Sequence, residues 1–378
     1  MRQIIIFAIA FLFIQSCGNK GNKDLSNDSL DGVSIVIDID SVKYDSLKLS
    51  KIKFIPLETS RECIIGDDVD KVLIKNDKIY VADTYQTKSL FVFDLNGKFL
   101  FKIAKIGKGP GEYVSFSDFD IGADGDIYMF DISSKKIRIY SSSEGEYLRD
   151  IKLDNYLMRF CLVGNKIYLS RLLLDGVMFA NLAVYDTIAK QTDMILDDER
   201  FLYDLPEYSF GFHYSPKNMY YTPKFSEIIY SLDEKGTHPA IGIKNLKMPP
   251  KHIINEWVQE KDAWKQSQKM AEDNYFVENV RIYETDTHIV FRYVTGDFMH
   301  SHKVILYNKL SKTVSYSNLK DYFLITGSSV VMGSTGADFF TVVGFNSRNQ
   351  FHTKILETRE ELANWVEDDN PVIVIFNY

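Results

Sequence analysis

The sequence has few cysteines and no excess of positive charge. Only 3 of its 378 residues are cysteine, and Cys63 and Cys161 both lie beside strand-like apolar residues. An oxidising compartment would permit a disulfide between these two, but free, buried thiols are commoner in such positions and are predicted here. Lysine and arginine number 44 against 52 acidic residues, which gives a net charge of −8. This balance argues against a large basic face and therefore against a nucleic-acid partner.

The N-terminal region lacks a hydrophobic run long enough to span a bilayer. The apolar run at residues 4–14 is shorter than the roughly 20 residues of a transmembrane helix. Because it follows Arg2 and ends near the small residue Ser16, it predicts a signal peptide over residues 1–16. Residues 18–31 are small, polar and charged, a composition typical of a flexible tether.

A cysteine follows this apolar run directly. Ile14-Gln15-Ser16-Cys17 resembles a bacterial lipobox, and the resemblance implies cleavage before Cys17 and lipid attachment to it. The alternative is a plain secretory signal with an incidental cysteine. On the lipobox interpretation residues 17–45 form a lipidated N-terminus and flexible tether, and the membrane is a partner through the lipid on Cys17. We then expect a location in the bacterial cell envelope, at the outer membrane on its periplasmic or surface side.

The motifs of several enzyme and metal-site classes are also missing. The chain contains neither G-x-S-x-G nor H-E-x-x-H. Asp118, Asp120, Asp124 and Asp126 have the spacing of a calcium loop but lack its bidentate glutamate. His300-x-His302 would share one face of a strand, yet the sequence supplies no third ligand. We therefore predict no metal site and no cofactor, and we do not expect an enzyme, although the sequence leaves that question open.

What the sequence does contain is a repeated pattern of short strands. Residues 79–83, 90–94 and 96–100 are followed by a similar series at 127–131, 137–140 and 144–148. The two series begin 127 − 79 = 48 residues apart, a period typical of propellers and solenoids. Tyrosine (23) and phenylalanine (26) are abundant, which favours strands. Asn96-Gly97 is predicted to close one hairpin as a type I′ turn.

More degenerate copies follow near residues 167, 219, 288 and 339. Six units of about four strands predict an all-β fold, a six-bladed β-propeller of four-stranded antiparallel blades over residues 46–378. Helical spacing of apolar residues predicts a helical insertion near residues 250–273 and a short helix near 357–367. The sixth unit lacks an outer strand, and we expect residues 51–57 to supply it by pairing with residues 372–376. That pairing would close the ring.

Residues 107–113, with the sequence Gly-Lys-Gly-Pro-Gly-Glu-Tyr, join the first two units. This segment lacks the Lys-Ser/Thr ending of a P-loop and no helix follows it, so we interpret it as a turn between blades. Together with Asp124-Gly125-Asp126-Ile127-Tyr128 and residues 137–140 it resembles the NHL-type repeat. Adding residues 54–59, the late helix and Asn370-Pro371-Val372, the chain resembles the six-bladed β-propeller lipoproteins of Bacteroidetes. The resemblance implies a cell-envelope location and little about chemistry.

In a four-stranded meander, the loops between the second and third strands share one face with the connections between blades. That rim is predicted to contain residues 83–88, 107–113, 133–136, 171–175 and 292–300. Its polar and aromatic side chains could hold a polar, and in particular an anionic, ligand; they are Asp83, Tyr85, Lys88, Glu112, Arg171, Arg292 and Tyr293. The alternative without a ligand site is that Asp83 only caps a turn and that the other side chains are ordinary surface residues.

The favoured function is therefore an envelope lipoprotein whose propeller binds a polar ligand or partner at the channel mouth. The ligand classes in view are a glycan, a peptide or another envelope protein. The first alternative is a hydrolase or lyase that acts on a polar polymer at the same face, and the second is a structural assembly subunit.

Overall fold

A computed structural model describes residues 30–378 apart from 46–47, 67–68, 154–158, 175–176, 197–210, 296–301, 319–330, 345–358 and 367. Within this part, strands rich in apolar residues form six sheets arranged as the blades of a propeller, and the four consecutive strands or closing strands of each blade pair antiparallel. The described helices include none that is both long and apolar enough to cross a membrane. The predicted six-bladed all-β architecture is confirmed.

The first three blades each consist of four consecutive strands, with the first strand innermost. Blade one contains β4 (Lys71–Lys75), β5 (Lys78–Asp83), β6 (Ser89–Asp94) and β7 (Phe99–Ile103). Blade two contains β8 (Phe116–Ile121), β9 (Ile127–Asp131), β10 (Lys136–Tyr140) and β11 (Tyr147–Lys152). Blade three contains β12 (Arg159–Val163), β13 (Lys166–Leu174), β14 (Val177–Asp186) and β15 (Gln191–Leu196).

Blades four and five each gain a fifth strand from the N-terminal segment. Blade four contains β16 (Phe212–Tyr214), β17 (Met219–Tyr221), β18 (Ile228–Asp233) and β19 (Gly236–Lys244), with β1 (Ile35–Asp38) parallel to β19 at its outer edge. Blade five contains β20 (Phe276–Glu284), β21 (His288–Thr295), β22 (His302–Asn308) and β23 (Val314–Asn318), with β2 (Lys43–Tyr44) parallel to β23.

The N-terminal strands show that the segment predicted as a tether has ordered structure at its end. Ile37 is buried and packs with Ile241 and Ile243 of β19, so residues 35–38 add apolar surface to blade four rather than staying in solvent. The structure does not describe residues 17–29, and the tether there remains a prediction.

The ring closes as the sequence predicts. Blade six combines β24 (Gly333–Ser334), β25 (Phe339–Val343) and β26 (Val372–Asn377) with β3 (Ser50–Pro56) as its outer strand. β3 pairs antiparallel with β26, with Ile55 opposite Ile373. A strand from near the start of the chain thereby covers an edge that would otherwise be open.

Apolar side chains between neighbouring blades form the core. Leu73 and Tyr80 of blade one pack with Phe119 and Met129 of blade two in one such cluster, and equivalent clusters join the other blades. Single blades would leave these faces exposed, so the ring depends on contacts between blades. Cys63 and Cys161 are buried and free, as predicted.

The helical insertion is confirmed, but it comprises two helices. α1 (Lys251–Gln259) buries Ile254 and Trp257, and α2 (Ala263–Asp273) begins where the Asp262 carboxylate accepts hydrogen bonds from two backbone amides of its first turn. That N-cap starts a new helix, so the apolar residues predicted to share one helical face lie on two helices. As a result Trp257 is fully buried, whereas Trp264 is 73% exposed.

Two local predictions are wrong. The helix expected over residues 357–367 is, among the described residues, a single 3₁₀ turn at Glu360–Leu362. Only Gly97 of the pair Asn96-Gly97 has a positive φ, whereas both Asn76 and Asp77 do. The type I′ geometry, which needs positive φ at two successive residues, therefore belongs to the β4–β5 hairpin.

Candidate functional site

The innermost strands of the six blades surround a cavity of about 200 Å³ on the propeller axis. Each blade contributes to its wall. The polar and charged lining residues are Asp70, Lys71, Asp118, Arg159, His213, Tyr214, Arg281 and Tyr283. The cavity is therefore a polar chamber made by the whole ring and not by one loop.

Two buried aspartates of β8 bridge blades two and three, and one of them, Asp118, also lines the cavity. Asp118 Oδ2 accepts a hydrogen bond from the Phe160 backbone amide at 3.0 Å, and Asp120 Oδ2 accepts one from the Leu162 amide at 2.7 Å. These amides lie on the inner edge of β12, which no further strand covers. Burial raises the pKa of Asp120, although nearby lysine charges partly offset this effect. The aspartates thus pair backbone donors that would otherwise be costly to bury.

Two lysines make the complementary connection between blades one and two. Lys71 Nζ donates to the Phe119 carbonyl at 2.6 Å and to Asp118 Oδ1 at 3.0 Å. Lys75 Nζ donates to the Ile121 carbonyl at 2.7 Å. These contacts give Lys71 and Lys75 a structural role between the two blades, and of the two Lys71 also lines the cavity.

Arg281 has a different setting, because it lies in a β-bulge. Val280 pairs with Arg292 and Tyr283 with Val290, so β20 inserts one extra residue relative to β21. Arg281 has φ of 54°, a left-handed conformation that costs a residue other than glycine of order 1 kcal/mol. Bulges of this kind re-aim side chains and are common beside functional sites.

The Arg281 guanidinium is incompletely satisfied by the protein around it. It hydrogen bonds to the Tyr283 side chain, but its buried Nε has no hydrogen-bond partner among the described residues. Arg281 is part of the cavity lining, so the protein leaves a guanidinium at this wall with incomplete hydrogen bonding.

His213 and Tyr283 stand beside Arg281 as uncharged groups. Their rings meet edge to face with centroids 6.5 Å apart, and His213 Nε2 lies 3.2 Å from Thr222 Oγ1. Burial, with the charge of Arg281, lowers the pKa of His213 to about 3. Burial also raises the pKa of Tyr283, against the opposing effect of Arg281 and Arg292. Both side chains are therefore neutral at pH 7.

The structure gives two of the predicted site residues local roles. Asp83 is fully buried and accepts hydrogen bonds from the amides of Gly66, Gln86 and others around its turn. Glu112 Oε2 accepts from the Gly109 amide at 2.8 Å within the turn between blades. These contacts correspond to the alternative in which the carboxylates only cap turns, and ligand binding by either residue remains a prediction.

Tyr85 and Lys88 lie in the loop between β5 and β6, and their place in a ligand site remains a prediction. Tyr85 is 78% exposed, and Lys88, also exposed, uses its carbonyl to accept from the buried Tyr113 hydroxyl at 2.6 Å. Asp70 at the cavity wall accepts from the amide and the hydroxyl of Thr84, at 2.7 Å each. The loop that contains Tyr85 is therefore hydrogen bonded to a residue of the cavity wall.

The remaining predicted residues are strand residues. Arg292 and Tyr293 were expected in a loop, but both are buried within β21 because the apolar strand extends through them. Arg171 belongs to β13, and its side chain is outside the described part. Arg292 is not part of the cavity lining, although its positive charge opposes the effect of burial on the pKa of the lining residue Tyr283.

Sequence reasoning missed the residues that line the axis. The predicted site was confined to loops, whereas the cavity is lined by the first strand of each blade, in which Arg159, His213 and Arg281 each stand between apolar residues. One polar residue at that position in successive blades is the signal that could have found the cavity.

The metal interpretation gains no support from the described residues, which contain no cluster of three or more metal-ligating side chains. Asp124 instead accepts from the Asp126 amide in a hairpin turn. His300, and the side chain of His302, are outside the described part.

Known proteins with the same fold include one that is described as exported. The model of a domain of unknown function, DUF4934, matches residues 34–377. A crystal structure of a Bacteroides fragilis protein described as exported has 18% identity and a TM-score of 0.73, covering 91% of this chain and 99% of that one. A DUF4221 member from Bacteroides vulgatus has 13% identity and a TM-score of 0.55, covering 89% and 99%. No curated protein has significant similarity to the sequence.

Proposed function

The chain belongs to the DUF4934 family, and from that premise we propose that it is an envelope lipoprotein that binds a polar ligand in its central cavity. The observation that carries the proposal is the chamber of about 200 Å³ lined by polar side chains from the inner strands. Ligand sites are concave and place a few polar groups at chosen points in an otherwise apolar wall. Here Arg281, His213 and Tyr283 are such groups, and Phe160, Phe212 and Phe340 supply apolar wall.

Binding fits the chemistry of this cavity better than catalysis does. General acid–base catalysis works best with a pKa near the operating pH. The pKa of His213, at about 3, makes the imidazole a weak base, while burial moves the pKa of Tyr283 upward and keeps the phenol protonated. Both groups are therefore suited to hydrogen bonding with a ligand and poorly suited to proton transfer at neutral pH.

The envelope location rests on the sequence. The lipobox-like residues before Cys17 support lipid attachment, and the exported relative fits a chain that leaves the cytoplasm. The lipid would hold the propeller at the membrane while the chamber takes its ligand from the surrounding compartment.

A ligand screen tests the proposal. The purified protein is heated with a panel of neutral and charged monosaccharides, oligosaccharides, amino acids and short peptides, since a ligand that binds only the native state raises the melting temperature. Hits are then titrated against Tyr283→Phe, which removes a hydroxyl at the cavity, and against Lys98→Ala, which changes an exposed hairpin residue. We expect weaker binding only for Tyr283→Phe. If the affinity of the hits falls with Lys98→Ala and not with Tyr283→Phe, the ligand does not bind in the central cavity.

A further inference from the structure

We infer that the cavity recognises a small carboxylate group, and that Arg281 is the residue that receives it. This inference rests on the proposed function and specifies the ligand class for the same chamber. The carboxylate belongs either to a small molecule or to the end of a longer one, because about 200 Å³ is below the roughly 300–1,000 Å³ typical of pockets for drug-sized ligands.

The charge of the chamber is opposite to that of the whole chain. Its lining includes three cations, Lys71, Arg159 and Arg281, and two carboxylates, Asp70 and Asp118, which leaves 3 − 2 = +1. The complete chain carries −8. A confined cavity with low-dielectric walls focuses such a field and concentrates anions within it.

The two carboxylates in the lining are engaged elsewhere. Asp118 accepts from the amides of Phe119 and Phe160 and from Lys71. Asp70 accepts from Thr84 twice. Each therefore has its own donors, and the positive charge of Arg281 is left for an acceptor that enters the cavity.

Arg281 also has the geometry of a ligand-binding residue. The bulge turns its backbone to φ of 54°, and its buried Nε lacks an acceptor among the described residues. A guanidinium offers parallel N–H donors that match the two oxygens of a carboxylate. Tyr283 and neutral His213 lie alongside it as further hydrogen-bonding groups.

A phosphate fits this setting less well. Phosphate sites commonly use successive backbone amides at a helix N-terminus or in a nest. On β12, the edge amides of Phe160 and Leu162 are already bonded to Asp118 and Asp120. On this strand recognition is left to side chains, and the forked guanidinium of Arg281 suits the planar carboxylate.

The test uses matched acid and neutral probes. Acetate, succinate, glutamate, glucuronate and N-acetylneuraminate are titrated up to 50 mM, each beside its amide or neutral sugar counterpart at equal ionic strength, and inorganic phosphate is included. We expect at least one carboxylate to raise the melting temperature while its counterpart does not. Calorimetry then gives its dissociation constant.

Arg281→Asn is the decisive variant, because asparagine tolerates the left-handed backbone while removing the charge. We expect it to weaken the carboxylate by about tenfold to a hundredfold, the range for a hydrogen bond to a charged group. Arg281→Lys, which keeps the charge but loses the fork, should lie between. Without ligand, Arg281→Asn should melt at or above the wild-type temperature. Arg149→Gln, which removes an exposed arginine of blade two, should leave binding unchanged.

The outcomes separate the two proposals. Tyr283-dependent binding of a neutral ligand, with no response to any carboxylate, would overturn the carboxylate assignment and leave the proposed function standing. Arg281-dependent binding of phosphate alone, or carboxylate binding indifferent to Arg281→Asn, would also overturn the assignment. If no probe of either screen binds, both proposals are refuted.

Discussion

Replacing Asn370 by alanine should weaken the closure of the ring more than any ordinary surface substitution. The Asn370 side chain is buried and its Nδ2 donates to the carbonyls of Glu58 and Cys63 at 2.6 Å each. Its Oδ1 accepts from the Ile65 amide at 2.8 Å. It therefore fastens the segment before β26 to the chain between β3 and β4.

The expected loss follows from these three contacts. Each buried hydrogen bond contributes about 1 kcal/mol net, and the partners left behind lose their pairing, so Asn370→Ala should cost about 3 kcal/mol. With an unfolding entropy of about 2.1 cal/mol/K per residue, 378 residues convert this into a fall of about 4 °C in melting temperature.

Denaturant unfolding at constant pH measures the loss. Asn377→Ala is the control, because that side chain is only partly buried. Its Nδ2 donates to the Ala337 carbonyl and to Asp338 Oδ1, and its Oδ1 accepts from the neighbouring Tyr378 amide. Water can replace these partly exposed contacts, so the substitution should cost about 1 kcal/mol or less. Equal effects of the two substitutions, or a loss below about 1 kcal/mol for Asn370→Ala, would refute the reasoning that the amide clamps the ring.

Three further predictions address the closing strand, the anchor and the buried histidine. Deleting residues 1–58 removes β1, β2 and β3 and should expose the edge of β26 and cause aggregation; a monomeric product with unchanged melting temperature would contradict this. Cys17→Ala should release the protein from membranes or leave its precursor unprocessed, as fractionation and mass spectrometry would show, and normal processing with membrane retention would argue against the lipid. The pKa of His213 in the folded protein is about 3, below its unfolded value of about 6.5. Below about pH 6.5 the unfolded chain therefore binds a proton at this residue while the folded protein does not, and the free energy of unfolding falls as the pH drops. Between pH 7 and 4.5 this group should account for about 2 kcal/mol, and His213→Gln should reduce the slope of denaturation midpoint against pH; an unchanged slope would show that His213 does not titrate this way.

Local patterns predicted most of the fold because each blade is built from contacts near in sequence. The 48-residue spacing and the unpaired strand at residues 51–57 were sufficient to predict the blades and the way the ring closes. The strand at residues 35–38 was harder to predict. Its three apolar residues lie in a polar stretch, and their pairing with β19 becomes evident only in the folded structure. The helix near 357–367 failed for a similar reason: Leu362 and Trp365 are buried by packing with Phe54 and Val374 and not by a continuous helical face.

The site was predicted less well because a charge in the sequence does not reveal its partner. Asp83 and Glu112 both bond to amides within their own turns, and sequence alone cannot separate such a cap from a ligand contact. Arg281 is informative only through its bulge, and the bulge arises from the pairing of β20 with β21. Hydrogen bonds between the inner strands of neighbouring blades, such as the one from the Phe160 amide to Asp118, likewise cannot be predicted before the two blades are placed side by side.

Ligand binding in the central cavity is tested most directly by a crystal structure of the protein with the strongest hit from the two ligand screens. We expect the ligand to occupy the chamber on the propeller axis, with a polar group in contact with Arg281 and with His213 or Tyr283. A ligand bound only on the outer faces of the blades, with the chamber unchanged, would contradict this expectation.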